Sequence, residues 1–458
     1  MQGLTIGTVA EACGGTVYGA DTDEEKQNFT GVVIDSRKIG RGNLFIATKG
    51  ERVDGHNYIP QAFEKGCLAA VCEHLPEILP GPCILVKDSF TALKKIAAYY
   101  RSVLDIRVVG ITGSVGKTST KEVVASVLSE KYRVLKTEGN FNNEVGLPLT
   151  VLSIREQHQV AVLEMGMNHF GEMRRLSEIA RPDVCVITNI GPCHLEFLGD
   201  LDGVLKAKTE IFEYMNPEGI CCLNGDDERL RRIHEVHGKK PLFFGNRSDC
   251  DVTVSNVEDC GLYGSRGILH IGKEEMPFRI AVPGKHMIQN ALCAATVGKW
   301  FGLTIEQIVV GIGKTRPVAG RSRIVDTGKL LVIDDCYNAN PVSMKSAIHL
   351  LETAKTRKVA ILGDMFELGE DEIQLHEEVG QFLAGRDIDV VICIGKLAEH
   401  IYIQAGKQIE NCYYFSSKEE FQKEIGNLIQ TADTVLIKAS NGMKFSTIVN
   451  LCLQGTWL

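Results

Sequence analysis

The sequence lacks the features that mark membrane, secreted and zinc-binding proteins. No apolar run approaches the roughly 18 to 20 residues that a membrane-spanning helix needs. The N-terminus has no basic segment followed by an apolar stretch, so it shows no signal peptide. The fifteen cysteines include no C-x-x-C pair, which argues against zinc knuckles and thioredoxin motifs. Their odd number and their places inside apolar runs indicate reduced core residues of a cytoplasmic protein.

The composition is that of a globular protein without an excess of positive charge. The chain has 458 residues, of which 44% are hydrophobic and 24% charged, so it is not a largely disordered chain, a collagen or a coiled coil. Fifty Lys and Arg against 58 Asp and Glu give a net charge of −8, and we expect no nucleic-acid partner. At about 150 residues per domain, the length predicts about three domains.

The order of predicted strands and helices indicates an α/β fold. In the first hundred residues, helical periodicity runs through NYIPQAFEKGCLAAVCE (57–73) and SFTALKKIAAYYRSVL (89–104). From about residue 105, apolar strands alternate with helices, which predicts a parallel sheet covered on both faces. A basic stretch with Gly and Pro (311–325) precedes a second alternating series, typical of a doubly wound unit. The predicted domain limits are 1–104, 105–315 and 316–458.

The sharpest motif is a glycine-rich turn between a predicted strand and a predicted helix, VVGITGSVGKTSTKE (108–122). Glycines let backbone N–H groups face a polyphosphate, and the helix N-terminus adds partial positive charge. Lys117 supplies a full charge, and the Thr118 hydroxyl suits a magnesium shell. The strict G-x-x-x-x-G-K-[ST] pattern is not met, because Ile111 stands at its first glycine. The predicted nucleotide contacts are Gly113, Ser114, Val115, Gly116, Lys117, Thr118 and Ser119.

This loop alone does not separate kinase, GTPase, motor ATPase and ligase. A GTPase should carry an N-K-x-D motif, which recognises guanine, after a later strand. The segment TNIGPCHLE (188–196) contains no such motif. Other polar residues follow predicted strands, where a doubly wound sheet binds its ligands. Glu164 suits magnesium or a salt bridge, and Asn140, Asn142 and Asn143 suit a turn or the ligand edge. His194 follows the next predicted strand and suits either this edge or a satisfied core or surface position. Lys208 lies on the following predicted helix, where a lysine usually belongs to a solvated face.

Two further sets stand near the third predicted domain. Asp334 and Asp335 end a predicted strand before a Pro-initiated helix, which suits a ribose or sugar hydroxyl as well as a turn capped by Asn340. Arg321 lies with other arginines on the inferred linker, where it is either a solvated residue or a clamp for ATP phosphates.

Together these segments resemble the Mur ligases, the ATP-dependent amino-acid ligases of peptidoglycan assembly, over essentially the whole chain. The T-G-x-x-G-K-T loop is similar to the ATP loop of the family. Within the family, the sequence most resembles the type that adds D-alanyl-D-alanine. The segments that carry this resemblance are TEGNFNNEVGLPLT, EMGMNHFGEM, DDCYNANPVSM and ILGDMFELGE. The type that adds diaminopimelate carries an N-P-R motif that recognises this amino acid, and the C-terminal third of this sequence has no such motif. Folylpolyglutamate synthetases share the loop and fold but lack the GNFNNEVG stretch.

The resemblance implies a three-domain α/β architecture. It consists of a small UDP-sugar-binding domain, a central P-loop ATPase domain with a parallel sheet, and a C-terminal Rossmann-like doubly wound domain. One segment departs from the family pattern, because K-A-S-N stands near the end where relatives often have K-G-S-R. Lys438 and Ser440 are retained there, whereas Ala439 and Asn441 differ.

The resemblance also implies roles for single residues around the phosphates. Lys117 is expected to act on the phosphates, and Thr118 and Glu164 to hold the magnesium ion that bridges them. His194 matches the family histidine near a second magnesium ion. Lys208 aligns with a lysine that several members carry as a carbamate, which would turn a cation into an oxygen ligand for metal.

Base, sugar and substrate contacts follow from the same resemblance. Asn290 matches the adenine-contacting position, and Arg321 and Asp335 match residues that grip phosphate and ribose. In the first domain, Ser36 and Arg37 are expected to bind the UDP-sugar. The remaining substrate contacts expected are Asn142, Asn143 and Asn338.

The activity implied is ATP-dependent joining of D-alanyl-D-alanine to UDP-N-acetylmuramoyl-tripeptide through an acyl phosphate. We expect ATP and two Mg²⁺ ions as cofactors, these small molecules as the only partners, and a cytoplasmic monomer without membrane contact. Two other classes stay open. One is an amide ligase for another carboxylate, which different acceptors would reveal. The other is a non-ligating P-loop ATPase, whose turnover would ignore any amine.

Overall fold

The computed structural model describes residues 1–51, 53–455 and 457, which divide into two compact units. Unit 1 comprises Met1–Ser255, Leu269–Met276 and Gln289–Ile312. Unit 2 comprises Asn256–Ile268, Pro277–Ile288 and Gly313–Leu458. The described residues form three β-sheets with helices between the strands, which confirms the predicted α/β class.

The first hundred residues build a small mixed sheet. Its elements are α1 (Ile6–Cys13), β1 (Thr16–Tyr18), β2 (Gly31–Val33), β3 (Asn43–Ile46), α2 (Ile59–Glu64), β4 (Ala69–Cys72), β5 (Cys83–Leu85) and α3 (Ser89–Val103). The strand order is β1-β5-β4-β3-β2. All neighbours pair in parallel except β1, which lies antiparallel to β5.

The predicted helix over residues 57–73 is wrong in its second half. The helix ends at Glu64, and Ala69–Cys72 forms the buried strand β4 between β3 and β5. Gly66 has a φ of 88°, a left-handed conformation that stops a helix. A short apolar run fits a buried strand or a buried helix equally well, and pairing with the neighbouring strands decides between them.

The middle of the chain builds the largest sheet. Its elements are β6 (Arg107–Thr112), α4 (Lys117–Leu128), β7 (Val134–Lys136), α5 (Gly146–Leu152), β8 (Val160–Glu164), α6 (Glu172–Ala180), β9 (Val184–Ile187), α7 (Leu195–Leu198), α8 (Leu201–Thr209), β10 (Ile220–Asn224), β11 (Leu242–Phe244), β12 (Val252–Asp259), β13 (Ser265–Ile271), β14 (Glu274–Ile280), α9 (His286–Trp300) and α10 (Ile305–Gly313). The strand order is β14-β13-β12-β11-β10-β9-β6-β8-β7. Strands β6 to β12 pair in parallel, with β6 between β8 and β9.

The C-terminal part builds the doubly wound sheet that the sequence predicts. Its elements are β15 (Arg323–Asp326), β16 (Leu331–Asp334), α11 (Pro341–Glu352), β17 (Lys358–Gly363), α12 (Glu372–Leu383), β18 (Val390–Ile394), α13 (Ala398–Ala405), β19 (Cys412–Phe415), α14 (Lys418–Leu428), β20 (Thr434–Lys438) and α15 (Ser446–Gln454). The order is β15-β16-β20-β17-β18-β19, and only β15 pairs antiparallel. Successive strand residues enter two separate hydrophobic clusters, as Val332 and Ile333 do, so both faces are covered.

Burial explains why the strands read as continuous apolar runs. Every residue of β8, β9, β18 and β20 is buried, as expected for parallel strands with helices on both faces. All fifteen cysteines are free thiols and most are buried, as predicted. None of the helices in the described part of the chain combines the length and hydropathy of a membrane span.

Helix α3 is tied to the large sheet by buried polar contacts. The Tyr100 hydroxyl donates to the Ile154 carbonyl at 2.9 Å, and Arg101 Nε donates to the Ala180 carbonyl at 2.9 Å. The Arg101 guanidinium also lies 3.7 Å from the Asp183 carboxylate, which accepts the Val108 N–H at 2.7 Å. Since Val108 lies in β6, these contacts link α3 to the strand that leads into the phosphate loop.

Replacing Arg101 by Met should destabilise unit 1 by about 3 kcal/mol, because buried carbonyls lose a charged donor and Asp183 loses its buried cation. Urea unfolding of the full chain measures the shift in midpoint. Lys95→Met, at an exposed position of the same helix, is the matched control. Equal midpoints for the two variants would contradict the assignment.

Candidate active site

The phosphate loop joins the central strand β6 to helix α4. Gly113 has a φ of 151°, and a Cβ there would lie 1.9 Å from the Thr188 hydroxyl oxygen. Gly116 has a φ of 83°, in the left-handed region that favours glycine. Both glycines are therefore required by the backbone path, independently of any ligand.

Residues 188–191, which follow β9, hold this loop in place. The Thr188 hydroxyl donates to the Val115 carbonyl at 2.7 Å, and the Val115 N–H donates to Asn189 Oδ1 at 3.0 Å. The Ser114 hydroxyl donates to the Gly191 carbonyl at 2.9 Å. The sequence-based site does not include Thr188 and Asn189, although the T-N-I-G motif after an apolar strand is a signal for them. Their role is to shape the loop.

The first turn of α4 places a cation on the loop. Lys117 Nζ donates to the Gly113 carbonyl at 2.8 Å and to the Ser114 carbonyl at 3.4 Å. Ser119 is partly exposed on the same turn. The helix N-terminus and the lysine charge together favour an anion here. The structure thus assembles the predicted phosphate-contacting residues in one continuous turn.

Glu164 ends β8, the strand beside β6, and is 2% exposed. Its Oε1 accepts hydrogen bonds from the Thr118 hydroxyl at 3.2 Å and from Asn142 Nδ2 at 2.8 Å. Its Oε2 has no hydrogen-bond partner within the described residues. A buried carboxylate oxygen without a partner is costly, so this oxygen suits a cation. Thr118 and Glu164, two of the four residues predicted to bind magnesium, are in direct contact.

The asparagine-rich loop before α5 also reaches Glu164. Asn142 holds the carboxylate, and its carbonyl accepts the Gly166 N–H at 2.8 Å. Asn143 Oδ1 accepts the N–H groups of Val145 and Gly146 at 3.1 and 2.9 Å, which is a turn role. Of the two predicted substrate contacts in this loop, Asn142 lies at the ligand edge bound to Glu164, and the Asn143 side chain is bound within its own loop.

Lys208 is a buried cation close to the phosphate loop. It lies on α8, is 2% exposed, and its pKa is lowered to about 8. The main cause is burial, which penalises the ammonium form, and the second is the positive charge of Lys117; Cys193 acts in the opposite direction. No carboxylate within the described residues pairs with the Lys208 amine.

His194 stands at the start of α7, exposed and with a left-handed φ of 51°. The preceding Cys193 thiol donates to the Ser114 hydroxyl at 3.3 Å. The segment that carries His194 therefore contacts the phosphate loop.

Asn290 on α9 lies beside the same loop. Its Oδ1 accepts the Thr120 hydroxyl at 2.9 Å, and a Cβ on Gly116 would lie 3.8 Å from this oxygen. The residue is 6% exposed. The structure places the predicted adenine contact next to the phosphate helix, with its amide oxygen bound to that helix.

The predicted UDP-sugar residues lie on an exposed turn after β2. The Arg37 guanidinium donates to both oxygens of Asp35 at 2.9 Å and, through these bonds, lowers the pKa of Asp35 to about 2. Lys65 Nζ donates to the Ser36 carbonyl at 2.8 Å. This turn gathers cationic side chains, with Arg37 largely exposed, and suits an anionic group.

Unit 2 carries its own polar cluster at the carboxyl ends of β16 and β20. Lys438 Nζ donates to Asp335 Oδ2 at 2.7 Å and to the Asn338 carbonyl at 2.9 Å. Asp335 Oδ1 accepts the Ser322 N–H at 2.9 Å. The Arg321 guanidinium lies over the Tyr337 ring, 4.2 Å from its centre. Three predicted residues of this domain, Arg321, Asp335 and Asn338, are thus neighbours, and Lys438 joins two of them.

Within the described residues, no cluster of three or more His, Cys, Asp or Glu side chains is arranged to hold a metal. Magnesium at nucleotide sites commonly uses one or two carboxylates and completes its shell with phosphate oxygens and water. A site formed by Glu164 and the Thr118 hydroxyl matches that pattern.

Comparison with known proteins relates all parts of the chain to one family. Its models match over 28–108 (Mur ligase family, catalytic domain), 111–298 (Mur ligase middle domain) and 320–441 (Mur ligase, glutamate ligase domain). UDP-N-acetylmuramoyl-tripeptide–D-alanyl-D-alanine ligase of Bacillus subtilis (strain 168) is 38% identical over 456 residues, covering 97% of each chain. A crystal structure of MurF from Acinetobacter baumannii superposes with a TM-score of 0.91 at 31% identity, covering 98% of this chain and 99% of that one. The MurF ligase of Thermotoga maritima in complex with ADP gives 0.79 at 29% identity, covering 92% and 97%.

Replacing Lys208 by Met should stabilise the free protein in CO₂-free buffer by about 3 kcal/mol at pH 7, because the lowering of the Lys208 pKa from 10.5 to about 8 costs about 1.4 kcal/mol per pKa unit. Between pH 8 and 10.5, the unfolded chain holds more protons at Lys208 than the folded chain does. The free energy of unfolding of the wild type therefore rises with pH, and the advantage of the variant shrinks. Urea midpoints at pH 7 and 9.5 measure both effects.

Lys206→Met on the same helix is the control, because Lys206 is exposed. Burial of a charged amine would be contradicted if Lys208→Met did not raise the free energy of unfolding at pH 7. It would also be contradicted if the increase stayed constant up to pH 9.5.

Proposed function

This chain belongs to the Mur ligase family, and on that premise we propose that it joins D-alanyl-D-alanine to UDP-N-acetylmuramoyl-tripeptide with ATP, giving UDP-N-acetylmuramoyl-pentapeptide, ADP and phosphate. The relatives that carry this activity in their names match the chain over nearly its full length. The product is a precursor of peptidoglycan, so the enzyme serves cell-wall synthesis, cell shape and division in the cytoplasm. We infer that it acts as a monomer.

The observation that carries the ATP-dependent step is the contact between the phosphate loop and Glu164. Thr118 follows Lys117 in the loop, and its hydroxyl binds the buried carboxylate, whose second oxygen has no hydrogen-bond partner among the residues that the structure describes. Polyphosphate and cation sites therefore share one edge of the sheet. A ligase needs both at one point, because it must bring a substrate carboxylate to the γ-phosphate of ATP.

The chemistry follows from the poor electrophilicity of a carboxylate. The terminal carboxylate of the tripeptide attacks the γ-phosphorus, the bond to ADP breaks, and an acyl phosphate forms. The amine of D-alanyl-D-alanine then attacks the acyl carbon, and inorganic phosphate leaves. Two anions must meet in the first step, so cations are needed, and Lys117 supplies one of them. Because water hydrolyses the acyl phosphate, the site must exclude it.

Magnesium fits the residues present. We assign one ion to Thr118 and Glu164, and a second to His194 and Lys208. When bound, Mg²⁺ would neutralise and orient the phosphate oxygens of ATP. Lys208 can ligate a cation only after losing its own charge.

We further propose that Lys208 is carbamylated. Its neutral amine would add to CO₂ with loss of a proton, giving a carbamate oxygen ligand. Burial without a carboxylate partner in the described part of the chain supports this, and a pKa near 8 leaves a fraction of the amine neutral at physiological pH.

The remaining predicted residues are assigned to contacts with different portions of the substrates. We assign Ser36 and Arg37, in the domain 1–104, to the UDP-sugar. In the domain 105–315, Asn290 is assigned to adenine, and Asn142 and Asn143 to the substrate edge. In the domain 316–458, the assigned ATP and substrate contacts are Arg321, Asp335 and Asn338.

Purified protein should release phosphate from Mg-ATP only when UDP-N-acetylmuramoyl-tripeptide and D-alanyl-D-alanine are both present, with a pentapeptide mass as product. Each substrate alone is the first control. Release that ignores the dipeptide would favour a non-ligating ATPase. If the protein instead joins other amines or other carboxylates, it is a different amide ligase.

The same assay includes Lys117→Ala, which should abolish turnover without lowering the melting temperature, since it removes a loop cation and no core contact. Lys240→Ala, at an exposed position of the central domain, is the matched variant. Normal turnover in Lys117→Ala would overturn the phosphate site.

¹³C-labelled bicarbonate should give a carbamate carbon resonance in the wild type and in Lys206→Ala, but not in Lys208→Ala. A wild-type protein without this resonance, or a diffraction map with a bare Lys208 amine beside bound metal, would overturn carbamylation.

A further inference from the structure

Lys121 is a buried lysine one helical turn beyond Lys117. Its side chain is 2% exposed, although lysine is almost never fully buried unless it is paired. Its Nζ donates to the Thr137 carbonyl at 2.7 Å and forms ion pairs with Glu122 at 3.2 Å and with Glu164 Oε2 at 3.8 Å. The ammonium thus lies beside the carboxylate oxygen for which the described part of the chain supplies no hydrogen bond.

Thr137 connects this lysine to the backbone of Glu164. The Thr137 N–H donates to the Val162 carbonyl at 3.0 Å, which extends the pairing of β7 with β8. The Thr137 hydroxyl accepts the Glu164 N–H at 2.9 Å. Its carbonyl is the group that Lys121 binds. The phosphate helix therefore holds the end of β8 through one threonine, which is 1% exposed.

The two ends of the Glu164 carboxylate are held differently. Oε1 accepts neutral donors, the Thr118 hydroxyl and the Asn142 amide, whereas Oε2 faces the Lys121 charge without a hydrogen bond. Lys121 and Thr118 are three residues apart on α4, so both face the strand that carries Glu164. A nearby cation offsets part of the cost of burying a carboxylate charge.

We propose that Lys121 is a positioning residue for Glu164. Through Thr137 it fixes the strand end from which the carboxylate faces the nucleotide phosphates, and its charge stabilises the buried carboxylate before a metal ion binds. This role rests on the proposed ATP-dependent function, and it assigns to Lys121 no contact with substrate.

The test is a double-mutant cycle of Lys121→Met and Glu164→Gln in the full chain. Binding of Mn²⁺ with a non-hydrolysable ATP analogue is followed by electron paramagnetic resonance, and kcat and KM are measured with Mg-ATP. Lys121→Met should weaken Mn²⁺ binding and lower kcat by about tenfold each, as outer-shell changes commonly do, with KM for the dipeptide nearly unchanged. In the Glu164→Gln background, the same change should have an effect below about twofold, because the two residues act as a unit. Lys95→Met is the control for loss of a lysine.

Equal effects of Lys121→Met in both backgrounds, or unchanged Mn²⁺ binding, would overturn the proposal. If Lys121→Met fails to fold, Thr137→Val replaces it in the cycle, because it keeps the side-chain shape and removes the hydroxyl that accepts the Glu164 N–H. The same two outcomes then decide. The Mn²⁺ measurement needs no ligation, so a wild type that binds Mn²⁺ with the analogue but makes no pentapeptide would count against the proposed function alone.

Discussion

The close approach of the phosphate loop to the end of β9 is the constraint on which the site depends. With any side chain at Gly113, the loop would collide with Thr188, whose hydroxyl holds the Val115 carbonyl. The loop is therefore shaped by the neighbouring strand before a nucleotide binds. Preorganised N–H groups of this kind bind an anion without reordering the backbone. The position of Lys117 follows, since α4 begins where the loop ends.

Charge is distributed unevenly around this loop. Lys117 and Lys208 are close enough for their charges to interact, and the buried Lys121 lies 3.8 Å from the buried carboxylate of Glu164. The charge of Lys117 contributes to the lowered pKa of Lys208, so the lysines repel each other when no anion is present. A polyphosphate bound at the proposed site would reduce that repulsion, and conversion of Lys208 to a carbamate would remove part of it as well. The free protein therefore carries an electrostatic cost that binding of an anionic substrate at the proposed site would relieve.

Buried polar contacts also set how precisely the groups are held. Arg101 joins α3 to the strand before the loop, and Thr137 joins α4 to the end of β8. Unit 2 has a buried polar contact of the same kind, because Lys438 binds Asp335 and the Asn338 carbonyl. Arg101, Lys121 and Lys438 donate to carbonyl or carboxylate oxygens of other elements. Thr137 accepts hydrogen bonds from the Lys121 ammonium and from the Glu164 N–H. Such contacts hold reacting groups more rigidly than apolar packing alone.

Much of the fold and the phosphate site could be read from local sequence. Alternating apolar strands and helices determine parallel sheets with both faces covered, and glycines followed by Lys117 and Thr118 determine the phosphate loop, because these signals lie within a few residues of each other. Contacts between distant segments are not encoded locally. Only the tertiary structure decided that Ala69–Cys72 is a strand, that Thr188 and Asn189 clamp the loop, and that Lys121 faces Glu164. These outcomes depend on which strands become neighbours, and strand order is set by packing across the whole sheet, which no short stretch of sequence specifies.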